Sequence, residues 1–185
     1  MIRFRSLRTA AFLLVSLAVA GTVVPASVHA ADPAARPDAS KVTPTASFVQ
    51  EAVVGNLFEV ESSKLALERS QSGAIKTFAR HMVDDHSAAG VKIADALNDA
   101  KVARPPLKLD ARRQSVMDAL APLKGPDFDK VYVDAQHKAH IEAVALFESY
   151  AATGEDSRLK AIAIQLLPTL KAHLAQVEKI SAPRK

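Results

Sequence analysis

The sequence predicts an all-α protein built from four long helices and one short helix. Hydrophobic residues make up 49% of the chain and are mostly Ala, Leu and Val, whereas aromatic residues account for 5% and Trp is absent. Such small and aliphatic side chains suit close-packed helices better than sheets. Four long segments repeat apolar side chains every three to four positions, which is the period of a helix face. These features favour a helical bundle.

The N-terminal segment has the three parts of a secretory signal peptide. A cluster of arginines near the start is followed by an apolar run over 9–24 and by a small-residue site that ends at Ala30. We expect residues 1–30 to be removed on export. The alternative is a retained membrane anchor, but the run is short for a spanning helix, which needs about 20 apolar residues, and Pro25 ends it.

The remainder divides into a lead-in and one domain. Residues 31–44 contain Asp, Pro and Ser without a periodic pattern, and we expect a flexible segment. Residues 45–182 carry the helical pattern. A chain of 185 residues suits one domain of ordinary size, so these residues are expected to form a single bundle.

Charge and cysteine content narrow the function classes. The chain has 24 Lys and Arg against 20 Asp and Glu, and removal of the signal peptide takes three Arg and no acid, which leaves 21 against 20 and a net charge of +1. No basic surface for nucleic acid is expected, nor a membrane span after cleavage. The absence of cysteine excludes disulfides, thiolate metal sites and a lipid-modified cysteine. We expect a soluble periplasmic protein, and the sequence leaves a protein partner or homo-oligomer open.

The first two helices are bounded by capping and turn residues. Thr45 and Ser47 are candidate N-caps for helix one, and Ser72-Gly73 ends it. Helix two ends before Pro105-Pro106, because consecutive prolines cannot continue a helix. The predicted ranges are 45–70 and 74–101.

A short helix and two further long helices follow. Asp110 is the predicted cap of the short helix, over 110–123, and Gly125-Pro126 separates it from helix three. Helix three, over 126–153, ends at Gly154, and the last helix covers 157–180. Short turns join helices one and two and helices three and four.

The long connection between helices two and three decides the expected topology. Because the short helix returns the chain to the starting end, helices two and three should be parallel, as in a ferritin-like antiparallel four-helix bundle with a crossover helix. A plain up-down bundle is the competing topology. The short crossover helix argues against it.

Each long helix carries one side chain of the metal-ligand type at the centre of its apolar stripe. These residues are Glu59, His86, His140 and His173. Counted from the turns, the first three lie at one height and His173 lies about one helical turn away. His137, almost one turn before His140, matches the height of His173 better.

Three imidazoles and a carboxylate in an apolar interior fit a site for one transition-metal ion, with His137 as a substitute or additional ligand. Zinc, copper, iron and manganese all accept such ligands. Asp85, on the outer side of helix two, is a candidate hydrogen-bond partner of a ligand. The predicted role is metal handling or stress protection in the periplasm.

The alternative is a buried hydrogen-bond network that binds no metal. The protein would then be a structural or stress-related interaction module with a partner surface around Phe58, Leu65 and Leu146. No nucleophile constellation, Gly-rich phosphate loop or carboxylate pair is visible in the sequence. Any catalysis would depend on a bound metal.

Two short motifs support a family resemblance. They are Met82-Val83-Asp84-Asp85-His86 and Leu167-Pro168-Thr169-Leu170. With their surroundings, over about 46–180, they resemble an uncharacterised family of exported bacterial proteins, a domain-of-unknown-function family often labelled outer-membrane proteins. The resemblance implies a ferritin-like helical bundle and no established activity.

The ligand pattern differs from that of di-iron proteins of the ferritin-like type, which carry Glu-x-x-His on two helices. The residues three positions before His86 and His173 are Val83 and Leu170. A carboxylate-bridged di-iron centre is therefore not expected.

Overall fold

The computed structural model of the protein describes residues 43–181. These residues form five α-helices and, within this range, no β-strand, which confirms the all-α prediction. The helices are α1 (Thr45–Arg69), α2 (Gly73–Ala100), α3 (Ala111–Leu120), α4 (Gly125–Thr153) and α5 (Ser157–Ser181). No helix in the described range is long and apolar enough to cross a membrane. The predicted signal peptide, 1–30, and nearly all of the predicted lead-in, 31–44, lie outside the described residues.

Local capping sets the start of α2 and α3. Ser72 Oγ accepts a hydrogen bond from the Ile75 N–H at 3.4 Å, and Asp110 Oδ1 accepts one from the Arg113 N–H at 2.8 Å. Each side chain satisfies a backbone donor that the first helical turn leaves free. The predicted cap Asp110 is thus confirmed.

The predicted caps of α1 were wrong. Pro44 occupies the N-cap position of α1, without a side-chain hydrogen bond, and both Thr45 and Ser47 lie inside the helix. Thr45 Oγ1 instead lies 2.9 Å from Tyr150 Oη in α4. A tertiary hydrogen bond therefore takes the hydroxyl that capping would have used.

The long helices pack in the predicted crossover topology. α1 packs on α2 and α4, and α5 packs on α4 and α2. One apolar cluster, the first core cluster, joins the start of α1 and α5 to the ends of α2 and α4 around Phe48 and Leu97. The second core cluster joins the opposite helix ends around Phe78 and Tyr132. Hence α2 and α4 run parallel, and each packed pair of long helices is antiparallel.

A polar layer lies between the two core clusters. Every long helix contributes to it, although the surrounding layers are apolar. Its buried side chains are Glu59, Ser62, Ser63, His86, Gln136, His140 and His173. Buried polar groups are costly without partners, so each of these side chains needs a hydrogen bond, a water molecule or a bound ion.

The crossover helix α3 covers the junction of α1 and α4. Leu120 is fully buried in the second core cluster. Arg113 forms an ion pair with Glu51 of α1 at 2.7 Å, while Arg112 pairs with Glu142 of α4. α3 is therefore attached to the bundle by an apolar anchor at one end and by arginines at the other.

The position predicted for Phe58 on the outer surface was wrong. Its side chain is only 3% exposed, whereas Leu65 and Leu146 are partly buried. Phe58 lines the same internal space as Val116 and Arg113 of α3. The crossover helix thus buries a side of α1 that would be exposed in four helices alone.

Gly154 is expected to be required for the turn between α4 and α5. A Cβ atom at this position would lie 2.6 Å from the Tyr150 carbonyl oxygen, whereas a Cβ at Gly73 would meet nothing within 4 Å. We expect Gly154→Ala to lower the free energy of unfolding by about 1–3 kcal/mol, since backbone must shift. Gly73→Ala, in a helix, should be neutral or stabilising. Urea denaturation of both variants tests this, and equal stabilities would contradict it.

Candidate metal centre

Three histidine side chains meet in the polar layer. His86 is supplied by α2, His140 by α4 and His173 by α5, and all three are buried. Their ring centroids are 5.8 Å apart for His86 and His140, 5.4 Å for His86 and His173, and 5.5 Å for His140 and His173. The predicted convergence of imidazoles from three separate helices is present, and we call these residues the histidine triad.

Each imidazole of the triad has one nitrogen in a hydrogen bond to a group outside the triad. The acceptors are oxygen atoms, so the ring nitrogen donates in every case. The pairs are His86 Nδ1 with Asn56 Oδ1 at 3.0 Å, His140 Nδ1 with the Gln136 carbonyl at 2.9 Å, and His173 Nε2 with Asp85 Oδ2 at 2.9 Å. These bonds select the ring tautomer and orientation, as hydrogen bonds of metal-bound histidines do.

The second nitrogen of each ring has no partner. His86 Nε2, His140 Nε2 and His173 Nδ1 are buried and make no hydrogen bond. One ring nitrogen from each residue lies within 4.8 Å of those from the other two. A buried unpaired polar atom costs about 1–3 kcal/mol. A cation between the three rings would remove this cost for all of them.

Burial keeps two of the imidazoles neutral. Loss of hydration lowers the pKa of His140 to about 4, and it lowers the pKa of His86 well below its ordinary value. The neighbouring histidines act in the same direction, because charged rings would repel each other. A neutral ring that donates from one nitrogen presents a lone pair on the other, which is the form that binds metal.

Glu59 lies beside the triad and is 5% exposed. Desolvation raises the pKa of its carboxyl to about 8. Its Oε1 is 3.9 Å from His140 Nδ1, and its Oε2 is buried without a partner. Glu59 is not part of the group of ring nitrogens within 4.8 Å of one another. Its predicted role as a fourth ligand stays a prediction.

His137 lies farther out on α4. Its side chain is 39% exposed, and its Nε2 is 3.8 Å from Glu178 Oε1 of α5. The structure does not bring it into the histidine triad. Its predicted role as a substitute or additional ligand also stays a prediction.

The surrounding hydrogen-bond partners were only partly predictable. Asp85 was a candidate partner from its place on α2, and it accepts the bond from His173. Asn56, the partner of His86, was not identified from the sequence. The signal that could have identified it is its spacing, since it precedes Glu59 by three positions and therefore lies on the same helix face.

Comparison with solved structures shows related folds at low sequence identity. A secreted DUF305 protein from Streptomyces coelicolor superposes with a TM-score of 0.61 and 12% identity, covering 73% of this chain and 90% of that chain. CopM in its Cu(II)-bound form gives 0.62 and 15%, covering 75% and 95%. CopM in its Ag-bound form gives 0.60 and 16%, covering 74% and 94%. These likenesses show a shared helical fold.

Comparison of the sequence with curated proteins gave no match. Comparison with protein-family models gave one that spans most of the chain. The model described as domain of unknown function DUF4142 matches residues 29–180. The chain therefore belongs to the DUF4142 family.

Proposed function

We propose that this protein binds one transition-metal ion between His86, His140 and His173 and serves in metal handling or protection against metal stress. The observation that carries the proposal is the arrangement of the ring nitrogens. One nitrogen of each ring is held by an oxygen acceptor, the other is buried without a partner, and one nitrogen from each ring lies within 4.8 Å of those from the other two. A structural hydrogen-bond network does not require three unpartnered ring nitrogens in one buried cluster.

The spacing of the ring nitrogens suits an ion after a small contraction. A point between three atoms that lie within 4.8 Å of one another is at most about 2.8 Å from each. Metal–imidazole distances are about 2.0–2.1 Å, so each ring would move inward by roughly 0.7 Å or less. Small side-chain rotations suffice for such a shift.

The chemistry of the ligands favours copper or zinc among the predicted metals. For a given set of nitrogen ligands, affinity rises from manganese through iron to copper(II) and falls again at zinc. CopM, which shares the fold, is described in Cu(II)-bound and Ag-bound forms. We therefore expect copper(II) to bind most tightly and zinc next.

Glu59 is the proposed fourth ligand. Its unpartnered Oε2 is buried beside the triad, and a bound cation would favour the ionised carboxylate over the neutral acid that burial favours. A carboxylate would also offset part of the charge of a divalent ion. Binding of metal should then release a proton near neutral pH.

The proposed location is the periplasm. The support is the predicted signal peptide at 1–30 together with the family resemblance to exported proteins. The DUF305 protein with the same fold is described as secreted.

Metal analysis tests the proposal directly. Protein purified without chelators should contain about one metal ion per chain, and chelation should remove it. Addition of copper(II) to the stripped protein at about 100 times its dissociation constant should stabilise the fold by about 2.7 kcal/mol and raise the Tm by roughly 5–10 °C. Mass spectrometry of metals and thermal denaturation are the measurements.

The second candidate function is an interaction module whose polar layer only determines packing. The hydrogen bonds made by one nitrogen of each ring are the observation in its favour. It predicts no bound metal and no change of Tm with copper(II) or zinc. That pair of results would overturn the metal proposal.

A further inference from the structure

A cavity of about 390 Å³ lies beside the histidine triad. It is lined by His86 and His173 at its inner end, and by Arg112 of α3, which is about half exposed, at its outer end. Protein interiors are normally packed with few voids larger than a water molecule. A space of this size next to buried polar atoms is large enough to admit a small ligand.

Small side chains on three helices create the cavity. An alanine side chain fills little of the space between two packed helices, so several alanines in one place leave room. The alanines in its lining are Ala52, Ala88, Ala89, Ala135, Ala139 and Ala143. Apolar atoms make up most of the cavity surface, to which Phe58 and Phe147 also contribute, although charged side chains line part of it. Its walls thus suit an apolar body.

Polar atoms without partners gather at the inner end. Glu59 and both lining histidines are buried, and Glu59 Oε2, His86 Nε2 and His173 Nδ1 make no hydrogen bond. Apolar walls with a few converging polar groups are the usual composition of a small-molecule site, and such sites measure about 300–1,000 Å³. The polar groups at the inner end would bind the polar part of such a molecule.

We propose that the cavity binds a small organic molecule whose apolar body lies between the alanines and whose single nitrogen or sulfur donor completes the coordination of the metal. The inference rests on the proposed function. Three imidazoles leave a metal ion at least one position for a further ligand, and four-coordinate sites can expand to five. The donor would bind beside Glu59 or in its place.

The volume indicates the size of the ligand. An apolar cavity of about 150 Å³ holds one benzene ring, so the space here accommodates about two rings or an equivalent branched chain. Arg113 and Arg112 form ion pairs with Glu51 and Glu142 at the outer end. The apolar body would thus lie against the bundle and α3, with the outer end of the cavity open to solvent.

Two probes with the same donor and different bodies test the inference. The protein is loaded with cobalt(II), whose visible absorption reports a change of ligand, and its metal content is measured first. Imidazole and 4-phenylimidazole are then titrated. We expect 4-phenylimidazole to bind at least about tenfold more tightly than imidazole, because only its phenyl ring removes apolar surface from water.

Matched variants locate the binding. Ala143→Leu fills the cavity from α4, and we expect it to bring the two dissociation constants together while cobalt content stays unchanged. Ala145→Leu, at an exposed position of the same helix outside the lining, should keep the tenfold difference. Ala89→Leu fills the cavity from α2 and replaces Ala143→Leu if that variant does not fold by circular dichroism.

The outcomes separate the two proposals. A loaded protein that binds both probes equally, or a difference that Ala143→Leu leaves intact, overturns the cavity proposal alone. A protein that takes up no cobalt, copper or zinc overturns the metal site and with it the ligand proposed to complete it.

Discussion

Replacement of His140 by Leu is expected to abolish tight metal binding without destabilising the metal-free protein. Leucine fills a similar volume but offers no lone pair, so one of three imidazole ligands is lost. Changes to groups that merely orient metal-bound histidines reduce affinity by about 10–100-fold, so loss of a ligand itself should cost at least about 100-fold. Isothermal titration with copper(II) or zinc measures the affinity.

The stability of the metal-free His140→Leu variant separates the two candidate functions. His140 Nε2 is buried without a partner, and removing such an atom removes a desolvation cost of about 1–3 kcal/mol. The substitution also loses the hydrogen bond from Nδ1 to the Gln136 carbonyl, which contributes about 1 kcal/mol. We expect equal or greater stability in urea. A loss of more than about 2 kcal/mol would instead indicate that the imidazole is part of a structural network.

Two other histidines provide controls for this experiment. His81 is exposed on α2, and His81→Ala should leave metal content and affinity unchanged. His137→Ala tests the remaining prediction for that residue. Reduced metal content in this variant would bring His137 into the site, and unchanged content would restrict the histidine ligands to the triad.

When only the ionisation of Glu59, His86 and His140 is considered, the free energy of unfolding of the metal-free protein is expected to be highest near pH 6.5. The pKa of Glu59 is raised to about 8, so above pH 6.5 the folded protein keeps a proton that the unfolded chain has lost. Stability therefore falls as pH rises, by about 2 kcal/mol between pH 6.5 and 8. Below pH 6.5 the depressed pKa values of His86 and His140 dominate.

Below pH 6.5 the change of stability with pH has the opposite sign. Between pH 6.5 and 4.5 the unfolded chain binds protons at two histidines that stay neutral in the folded protein. Glu59 has the opposite effect, because it holds a proton in the folded protein that the unfolded chain binds only as the pH approaches 4.5. The net effect is a loss of about 2–3 kcal/mol as pH falls over this range. Urea denaturation of the chelator-treated protein at pH 4.5, 6.5 and 8 measures both limbs.

Glu59→Gln is the variant that isolates the alkaline limb. Its amide has the shape of the carboxyl but cannot ionise, so we expect it to be about 2 kcal/mol more stable than the parent at pH 8 and similar at pH 6.5. Glu61→Gln, at an exposed position of α1, is the matched control. If Glu59→Gln loses the same stability as the parent between pH 6.5 and 8, another group titrates there.

Helix positions, topology and the convergence of the histidines were predictable from local information. Apolar periodicity marks which residues of a helix face inward, and Gly, Pro and capping residues mark where helices end. With four helix lengths and three connection lengths known, counting from the turns places His86 and His140 at one height. The cap of α1 was the exception, because Thr45 bonds to Tyr150 across the bundle instead.

The sequence by itself determined an all-helical bundle with histidines from three helices in its interior, since both follow from a period of 3.6 residues and from segment lengths. Only the tertiary structure decided which nitrogen of each ring is held by Asn56, Gln136 or Asp85 and which is left free. It also decided that Phe58 is buried beneath α3 and that alanines from different helices leave a cavity beside the triad. Periodicity specifies the face on which a residue lies, whereas distances between atoms on different helices depend on how all the side chains pack together.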